Sequence, residues 1–386
     1  MIKKKKILIV HNYYQIPGGE DTVVANEEQL LKEYGHEVFF YSRKNSELKT
    51  MSKLQKIMLP FTSIFNIRSY IDIKQIIRSK NIEIVHVHNT LALISPSVYY
   101  AAKACKVPVI QTIHNFRLLC PGATFFREGH ICEECITKGL KCAIKHNCYR
   151  ESKIQTIVCV INMKLHRMMG IYRDFNYICL TEFNKSKLLS LKQVNQDKVF
   201  VKPNFVNSIG EFIPGTQRVN QFVFVGRLDK LKGIDILLKA WNRMGKAAPK
   251  LIVCGTGPME KWCKQFITKT RSNVELRGYI PNKEARKLIA HSKALILPTQ
   301  WYEGFPISIV EAYSVGTPVI CTAIGNASSV VEEGITGWKF KDMAGLISAI
   351  ENYEDICART LENYKTKFAK DINYKKMMEI YEECQN

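Results

Sequence analysis

The sequence predicts an α/β protein built from two doubly wound, Rossmann-like domains in tandem. Three observations carry that expectation. The chain is 386 residues long, room for two domains at about 150 residues each. Short Val/Ile/Leu-rich runs recur, each followed by a turn and an amphipathic helical pattern, as parallel strands covered on both faces require. The series runs twice, and the break at 203–220 holds Pro203, Asn204, Asn207, Gly210, Pro214 and Gly215 with little periodicity.

Taken in order, strands are expected at 7–11, 37–41, 82–88, 107–114, 177–181 and 198–202, with helices such as 23–34 (ending at Gly35) and 95–105 between them. A second series follows at 222–226, 251–255, 274–278, 294–298 and 318–322. One helix, 372–384, is left after that series closes. The expected domains are therefore 1–204 and 205–370, with 371–386 as a trailing helix.

Composition narrows the function. Hydrophobic residues make up 46% and charged residues 24%, ordinary globular values that exclude disorder and collagen-like structure. The net charge is +21. Residues 1–204 hold 31 basic and 16 acidic side chains, so an acidic partner is expected to meet that half. The apolar run after Lys3–Lys6 is too short for a signal peptide core of roughly 7–15 residues or a spanning helix of roughly 20. Thirteen scattered cysteines without a secretion signal point to reduced thiols and a cytoplasmic protein.

In open parallel sheets, ligands sit beyond the carboxyl ends of the strands, which directs attention to those ends. The stretch from Pro298 to Ala312 ends a strand and starts a helix near Pro306, a residue suited to a helix's first turn. Backbone N–H groups at Gly304, Phe305 and Ile307 would face an anion there. Glu303 sits just before this helix and Glu311 inside it, two carboxylates able to accept hydroxyl protons; a solvated acidic helix start would read the same way. Gly226-Arg227 and Lys232-Gly233 put two fixed cations on a turn, suited to a diphosphate, though a basic surface turn is commoner. Gly255-Thr256-Gly257-Pro258 closes the next strand. Near the N-terminus, Gly18-Gly19 follows the first strand but does not form a G-x-G-x-x-G fingerprint, which weighs against a nicotinamide enzyme. His88 and His114 end adjacent strands; one such histidine is usually structural, and two together favour a functional role for at least one.

Together these residues resemble the retaining GT-B nucleotide-sugar glycosyltransferases of the "glycosyl transferases group 1" family (family four type). Glu303 through Glu311 matches its E-x7-E signature. The resemblance implies two Rossmann-like domains facing across a cleft, with the trailing helix crossing back onto the first. It implies a nucleoside-diphosphate sugar as donor and a glycan or lipid-diphosphate-linked acceptor in bacterial surface polysaccharide synthesis. Arg227 and Lys232 would neutralise the diphosphate, Glu311 would hold the ribose, and Glu303 with Gly304, Phe305, Pro306 and Ile307 would meet donor sugar and phosphate. Gly18, Gly19 and Gly226 would line the cleft, and His114 would touch the transferring sugar. Fixed cations and oriented amides stabilise a departing phosphate without reorganising, so no catalytic metal is expected. A GT-B-type sugar-nucleotide epimerase shares the architecture. A basic nucleic-acid-binding protein also fits +21, but no helix-turn-helix, zinc-finger or RRM signature supports it, so no nucleic-acid partner is expected.

Two further expectations concern the first half. Lysines and arginines interleaved with apolar residues over 49–80 suggest a basic amphipathic surface that would hold the protein peripherally on an anionic membrane, at the inner face of the cytoplasmic membrane; a core-facing helix with solvated lysines is the alternative. Five cysteines crowd residues 120–148, an insertion after the His114 strand. Cys132 and Cys135 have chelating spacing, and Cys120 and Cys148 would complete a structural zinc site, with His130 and His146 as substitutes.

Overall fold

The computed structural model describes residues 3–15, 18–207 and 210–385; part of the expected inter-domain break lies outside them. The chain divides into two compact units. The first takes Met1–Arg127, Cys132–Pro203 and Tyr374–Asn386; the second takes Glu128–Ile131 and Asn204–Asn373.

The first unit's sheet is built on β1 (Lys6–Tyr13), β2 (Glu37–Lys44), β3 (Ile84–Asn89), β4 (Val109–Ile113), β7 (Asn176–Cys179) and β8 (Val199–Val201); between β4 and β7 in sequence lies a small hairpin of β5 (Phe126–Arg127) and β6 (His130–Ile131). The main sheet runs β2-β1-β3-β4-β7-β8, and its pairings are parallel. Ile7 to Val10 and Ile84 to Val87 are wholly buried, because helices cover both faces of a parallel sheet and no residue of a central strand can point to solvent.

The second unit has β9 (Val219–Val225), β10 (Lys250–Cys254), β11 (Val274–Gly278), β12 (Ser292–Leu297), β13 (Val319–Thr322) and β14 (Gly337–Phe340), ordered β11-β10-β9-β12-β13-β14. Alternate residues feed two cores. Val223, Ile252, Leu295 and Val319 pack on one side; Phe222, Phe224, Leu251 and Ile296 pack on the other. Strand order reverses beside β1/β3 in the first sheet and beside β9/β12 in the second, and such reversal points open a crevice at the strand ends.

β14 and the β5–β6 hairpin are additions to the sequence reading. β14 is four residues long with polar and glycine positions, too little pattern to announce a strand. The basic 49–80 stretch is three helices, Glu47–Thr50, Lys53–Ile64 and Ile67–Lys80. It is broken where Ser52 and Asn66 cap new starts through their side chains. No helix among the described residues is long and apolar enough to cross a membrane.

Candidate active site

In the second unit, the loop after β9 is organised by Asp229. One carboxylate oxygen accepts from the Lys232 backbone N–H at 2.9 Å, and the other pairs with the Arg227 guanidinium at 2.8 Å. The Lys232 ammonium then reaches across to the loop after β12, donating to Glu303 Oε2 at 2.6 Å. The loop after β9 also meets the turn after β10 backbone to backbone. A Cβ on Gly255 (φ +133) would lie 1.9 Å from the Gly226 carbonyl oxygen, so only glycine fits there.

Arg227 and Lys232 are thus brought to one place, each already matched with a carboxylate. Arg227 remains 68% exposed and Lys232 29%, both open to a ligand. Glu303 is buried, and its second oxygen, Oε1, has no hydrogen-bond partner. An unpaired acceptor held in the same loop is suited to a sugar hydroxyl. The helix Ile307–Ser314 begins one residue later than expected: Pro306 is its N-cap, in extended backbone, rather than a first-turn residue. The first N–H groups of a helix have no partner inside it, so Ile307 and its successor offer donors at a helix N-terminus. Asn326 fixes the turn by donating to the Glu303 and Gly304 carbonyls.

Glu311 stands apart from this cluster. Its Oε1 accepts from Asn282 at 2.8 Å and from Arg286 at 3.1 Å, which orients the carboxylate. Asp229, Asn282 and Arg286 were not singled out by sequence reasoning; an acid between two cations in Arg227-Leu228-Asp229-Lys230 was the available signal for the first.

The strand ends of the first unit are chemically different. His88 Nδ1 and His114 Nε2 lie 2.9 Å apart in a shared hydrogen bond, and His88 Nε2 is 3.6 Å from Glu27 Oε2. Glu27 is held by the Lys202 ammonium at 2.7 Å, with both side chains fully buried. His86 is clamped between Tyr381 and Thr112, at 2.7 and 2.8 Å. Burial pushes His86 down to about 4 and His114 to about 3, so both rings are neutral at neutral pH. Burial alone would raise the Glu27 carboxyl, but the Lys202 ammonium is the largest influence against it and the net shift is downward. Ligand atoms of Glu27, His86 and His88 lie within 4.8 Å of one another. Lys202 already supplies the cation this carboxylate needs, so the cluster reads as a buried ion-paired support for His114 rather than a metal centre.

Gly18 and Gly19 start the helix Gly19–Glu33, and the Gly18 N–H donates to Asp21 Oδ2 at 3.0 Å. Asp21 Oδ1 holds His11 Nε2 at 2.7 Å. Next to it, Glu20 accepts from the Tyr14 hydroxyl at 2.9 Å, and Asn115 donates to the same hydroxyl at 3.5 Å, which ties the glycine loop to the residue after His114. Burial raises the Glu20 carboxyl to about 8, and so it carries a proton at neutral pH. Its Oε1 and His11 Nδ1, 4.0 Å apart, are both buried without partners. Glu20, His11, Glu27 and Lys202 went unnoticed in the sequence. The signal for Glu20 was an acid directly after Gly18-Gly19.

A pocket of about 80 Å³ lined by His88, Asn89, Gln111, His114, Asn115 and Arg117 opens at these strand ends. It shares Leu91, Cys159 and Asn162 with a larger groove of about 410 Å³, whose walls include Leu59, Pro60, Ile154 and Val158 with Lys56 and Arg150. Beside the groove, the helix Lys53–Ile64 buries only Ser63, leaving Leu54, Ile57 and Phe61 at least 65% exposed. Ile154 and Met168, on the helix Lys153–Met168, are likewise exposed. The cysteines of the insertion are free thiols. The Cys135 thiol is the largest influence on Cys120 and lowers its pKa.

Residues 212–367 match the family described as "Glycosyl transferases group 1", and residues 17–133 match "Glycosyltransferase Family 4". A 41.2 kDa protein in the cps region of Klebsiella pneumoniae is 22% identical over 365 residues, 89% of each chain. Among solved structures, the lipopolysaccharide outer core galactosyltransferase WaaB superposes with a TM-score of 0.68 at 14% identity, over 98% of this chain and 99% of that one. Anabaena HepE in complex with UDP and glucose superposes with a TM-score of 0.65 at 15% identity, over 98% of this chain and 100% of that one. The fold is GT-B.

Proposed function

This chain belongs to the glycosyl transferases group 1 family and is a glycosyltransferase; we propose that it moves a sugar, with retention at the anomeric carbon, from a nucleoside diphosphate to a lipid-diphosphate-linked glycan in bacterial surface polysaccharide synthesis. The observation that carries this reading is the Arg227–Asp229–Lys232–Glu303 cluster at the reversal point of the second sheet. Breaking the anomeric carbon–oxygen bond builds positive charge on the sugar and negative charge on the departing phosphate. Arg227, Lys232 and the N–H groups at the start of the helix Ile307–Ser314 are already oriented to receive that negative charge. Glu303 Oε1, unpaired, is available to a donor-sugar hydroxyl, and Glu311, pre-oriented by Arg286, to the ribose. No side-chain nucleophile is assigned: in a retaining step of this kind, the departing phosphate oxygen takes the acceptor's proton on the same face.

The first unit supplies the acceptor side. Neutral His114 can hydrogen-bond a hydroxyl without trapping charge. The groove continuing from its pocket combines apolar walls with Lys56 and Arg150, which suits an isoprenoid tail ending in a diphosphate. Exposed Leu54, Ile57 and Phe61 beside Lys53 and Lys56 would seat this face on an anionic membrane. The cps-region relative and the lipopolysaccharide galactosyltransferase support a surface glycan as product, and the UDP of HepE makes UDP-sugars the first arm of a donor panel.

The test is a panel of UDP-, GDP-, ADP- and dTDP-sugars read by thermal shift and by donor hydrolysis, with and without lipid-diphosphate glycan. One donor class should stabilise the protein, and transfer should need the acceptor. Conversion of a donor to an isomeric sugar nucleotide without acceptor would replace the reading with an epimerase. Equal co-sedimentation with neutral and anionic vesicles would remove the electrostatic membrane contact.

A further inference from the structure

We propose that Glu27 and His88 are positioning residues that fix which ring nitrogen of His114 carries its proton, so that His114 meets the transferring sugar as a hydrogen-bond acceptor and selects a hydroxyl there. With His114 as the sugar contact, the reading on which this rests, the contact acquires a direction.

A chain of facing atoms runs through the interior of the first unit. Glu27 lies on the helix Gly19–Glu33, His88 on β3 and His114 just after β4. Glu27 Oε1 is taken by the Lys202 ammonium at 2.7 Å. Its other oxygen, Oε2, lies 3.6 Å from His88 Nε2, and both atoms are buried without a hydrogen-bond partner. His86 Nδ1 is 3.9 Å from the same oxygen, but both nitrogens of that ring are engaged, by Tyr381 and Thr112. The free carboxylate oxygen is therefore left to His88.

The polarity of the chain follows from charge. A neutral imidazole has one N–H and one bare nitrogen, and burial keeps both His88 and His114 neutral. Away from water, a carboxylate oxygen repels a bare nitrogen and attracts an N–H. The 3.6 Å separation is too long for a hydrogen bond, yet this preference needs only the charge. His88 thus carries its proton on Nε2 and leaves Nδ1 bare. That Nδ1 faces His114 Nε2 at 2.9 Å, and the ring planes lie only 24° from parallel with centroids 5.2 Å apart, as an in-plane contact between two nitrogens requires. One of the two must donate. His88 has no proton to give there, so His114 donates from Nε2. Its Nδ1 is bare, and this is the nitrogen left for a ligand in the pocket that His114 lines.

The surroundings hold the chain in place. Gln111 donates to the His88 carbonyl at 3.0 Å and accepts from the Tyr99 hydroxyl at 2.7 Å, which locks the ends of β3 and β4 together. The same helix repeats the device at β1, where Asp21 Oδ1 meets His11 Nε2 at 2.7 Å. A carboxylate facing one nitrogen of an imidazole sets which form the other nitrogen presents. A cation held by Glu27, His86 and His88 would do the reverse. It would take the His88 Nε2 lone pair, move the proton to Nδ1 and make His114 Nε2 the acceptor.

Selectivity follows from the bare Nδ1. It accepts from an O–H group and repels a carboxylate or phosphate oxygen. A sugar lacking the hydroxyl leaves that nitrogen unsatisfied. Fluorine in place of the hydroxyl does the same, because fluorine cannot donate.

Histidine-ring ¹⁵N NMR of the full chain without ligand reads the chain directly, because protonated and bare nitrogens resonate in separate ranges. His88 and His114 should both be protonated on Nε2. A proton on His114 Nδ1 would overturn the proposal, as would a metal ion bound at Glu27, His86 and His88 by elemental analysis. In Glu27→Gln/Lys202→Met the two charges are gone, and His114 should divide between its two forms; a ring still wholly protonated on Nε2 would remove Glu27 from its role. If that variant does not fold, the wild-type spectrum and donor binding decide. For the donor selected from UDP-, GDP-, ADP- and dTDP-sugars, calorimetry is run on its single-position deoxy and deoxyfluoro analogues. At one position both analogues should bind about tenfold or more weakly, and His114→Ala should erase that difference. Affinity regained with fluorine would make His114 a donor and overturn the proposal. The expected NMR signature in a protein that binds no sugar nucleotide would instead remove the reading of His114 as a sugar contact.

Discussion

The strand ends of the two sheets handle charge in opposite ways. Those of the second unit present Arg227 and Lys232 at least partly to solvent, each balanced by a carboxylate. Those of the first unit bury three histidines, His11, His88 and His114, with burial holding each pKa below its usual range. The Glu27–Lys202 ion pair beneath them is sealed from water. On the proposed function, one Rossmann-like frame stabilises a departing anion and the other offers neutral hydrogen bonds to hydroxyl groups. The lesson is that fold alone does not assign a role to either half. The charge state of the strand-end residues does.

The sharpest way to break this contrast is to uncouple the sealed pair. Glu27→Gln leaves the Lys202 ammonium buried without its counter-charge, and removing one partner of such a pair costs about 3–5 kcal/mol. A large drop in denaturation midpoint is expected, and a Glu27→Gln/Lys202→Met double variant should recover much of it. An unchanged midpoint in the single variant would mean the pair is not sealed.

At the second sheet the expected damage is catalytic. Lys232→Ala and Arg227→Ala should each lower turnover by about 10²-fold or more, as for loss of a group that stabilises transition-state charge, while denaturation midpoints move little. Near wild-type turnover in either would remove that residue from the phosphate cradle. A smaller effect is expected from Glu311→Ala. A hydrogen bond to a charged group is worth about 1.5–3 kcal/mol, and a ribose contact is made equally in ground and transition states. Donor affinity should therefore weaken by roughly tenfold or more with turnover at saturation preserved. Calorimetric donor binding equal to wild type would count against it.

The mildest test is pH. His86 and His114 titrate at about 4 and 3 when folded, below the ordinary 6.5. Between these values the unfolded chain binds more protons, so stability should fall as pH drops from about 6.5 through 4. Glu20 has the opposite sign. Its folded value of about 8 exceeds the ordinary 4.5, so the folded chain holds the extra proton and stability should decline as pH rises from about 4.5 to 8, then level off. Glu20→Gln should abolish this second slope and leave the first. Urea midpoints across pH 4–9 measure both, and a slope that survives in Glu20→Gln would assign it to another group.

Much of the second site could be read before folding. Gly226-Arg227, Lys232-Gly233 and Glu303 to Glu311 lie in three short segments, and each segment's position follows from local pattern: an apolar run ends, a turn follows, a helix begins. The strand starts and ends shifted by at most three residues, and Pro306 moved from first turn to cap. The short, weakly patterned β14 was not legible, nor was Asp229 as the residue that organises both cations.

The first site was far less legible. His88 and His114 could be placed at strand ends because strand periodicity is local. Their support could not: Lys202 is 175 residues from Glu27, and Tyr381 is 295 residues from His86. By itself the sequence determined the alternation of strand and helix, the double series, and which residues stand where strands stop, since backbone hydrogen bonding and one-sided burial write a period of two or 3.6 into neighbouring positions. Only the tertiary structure decided which strand ends become neighbours, that Glu27 meets Lys202 out of reach of water, and that the imidazoles beside them stay neutral. Those outcomes depend on sheet order and on the loss of solvent around each group, and neither leaves a mark on adjacent residues.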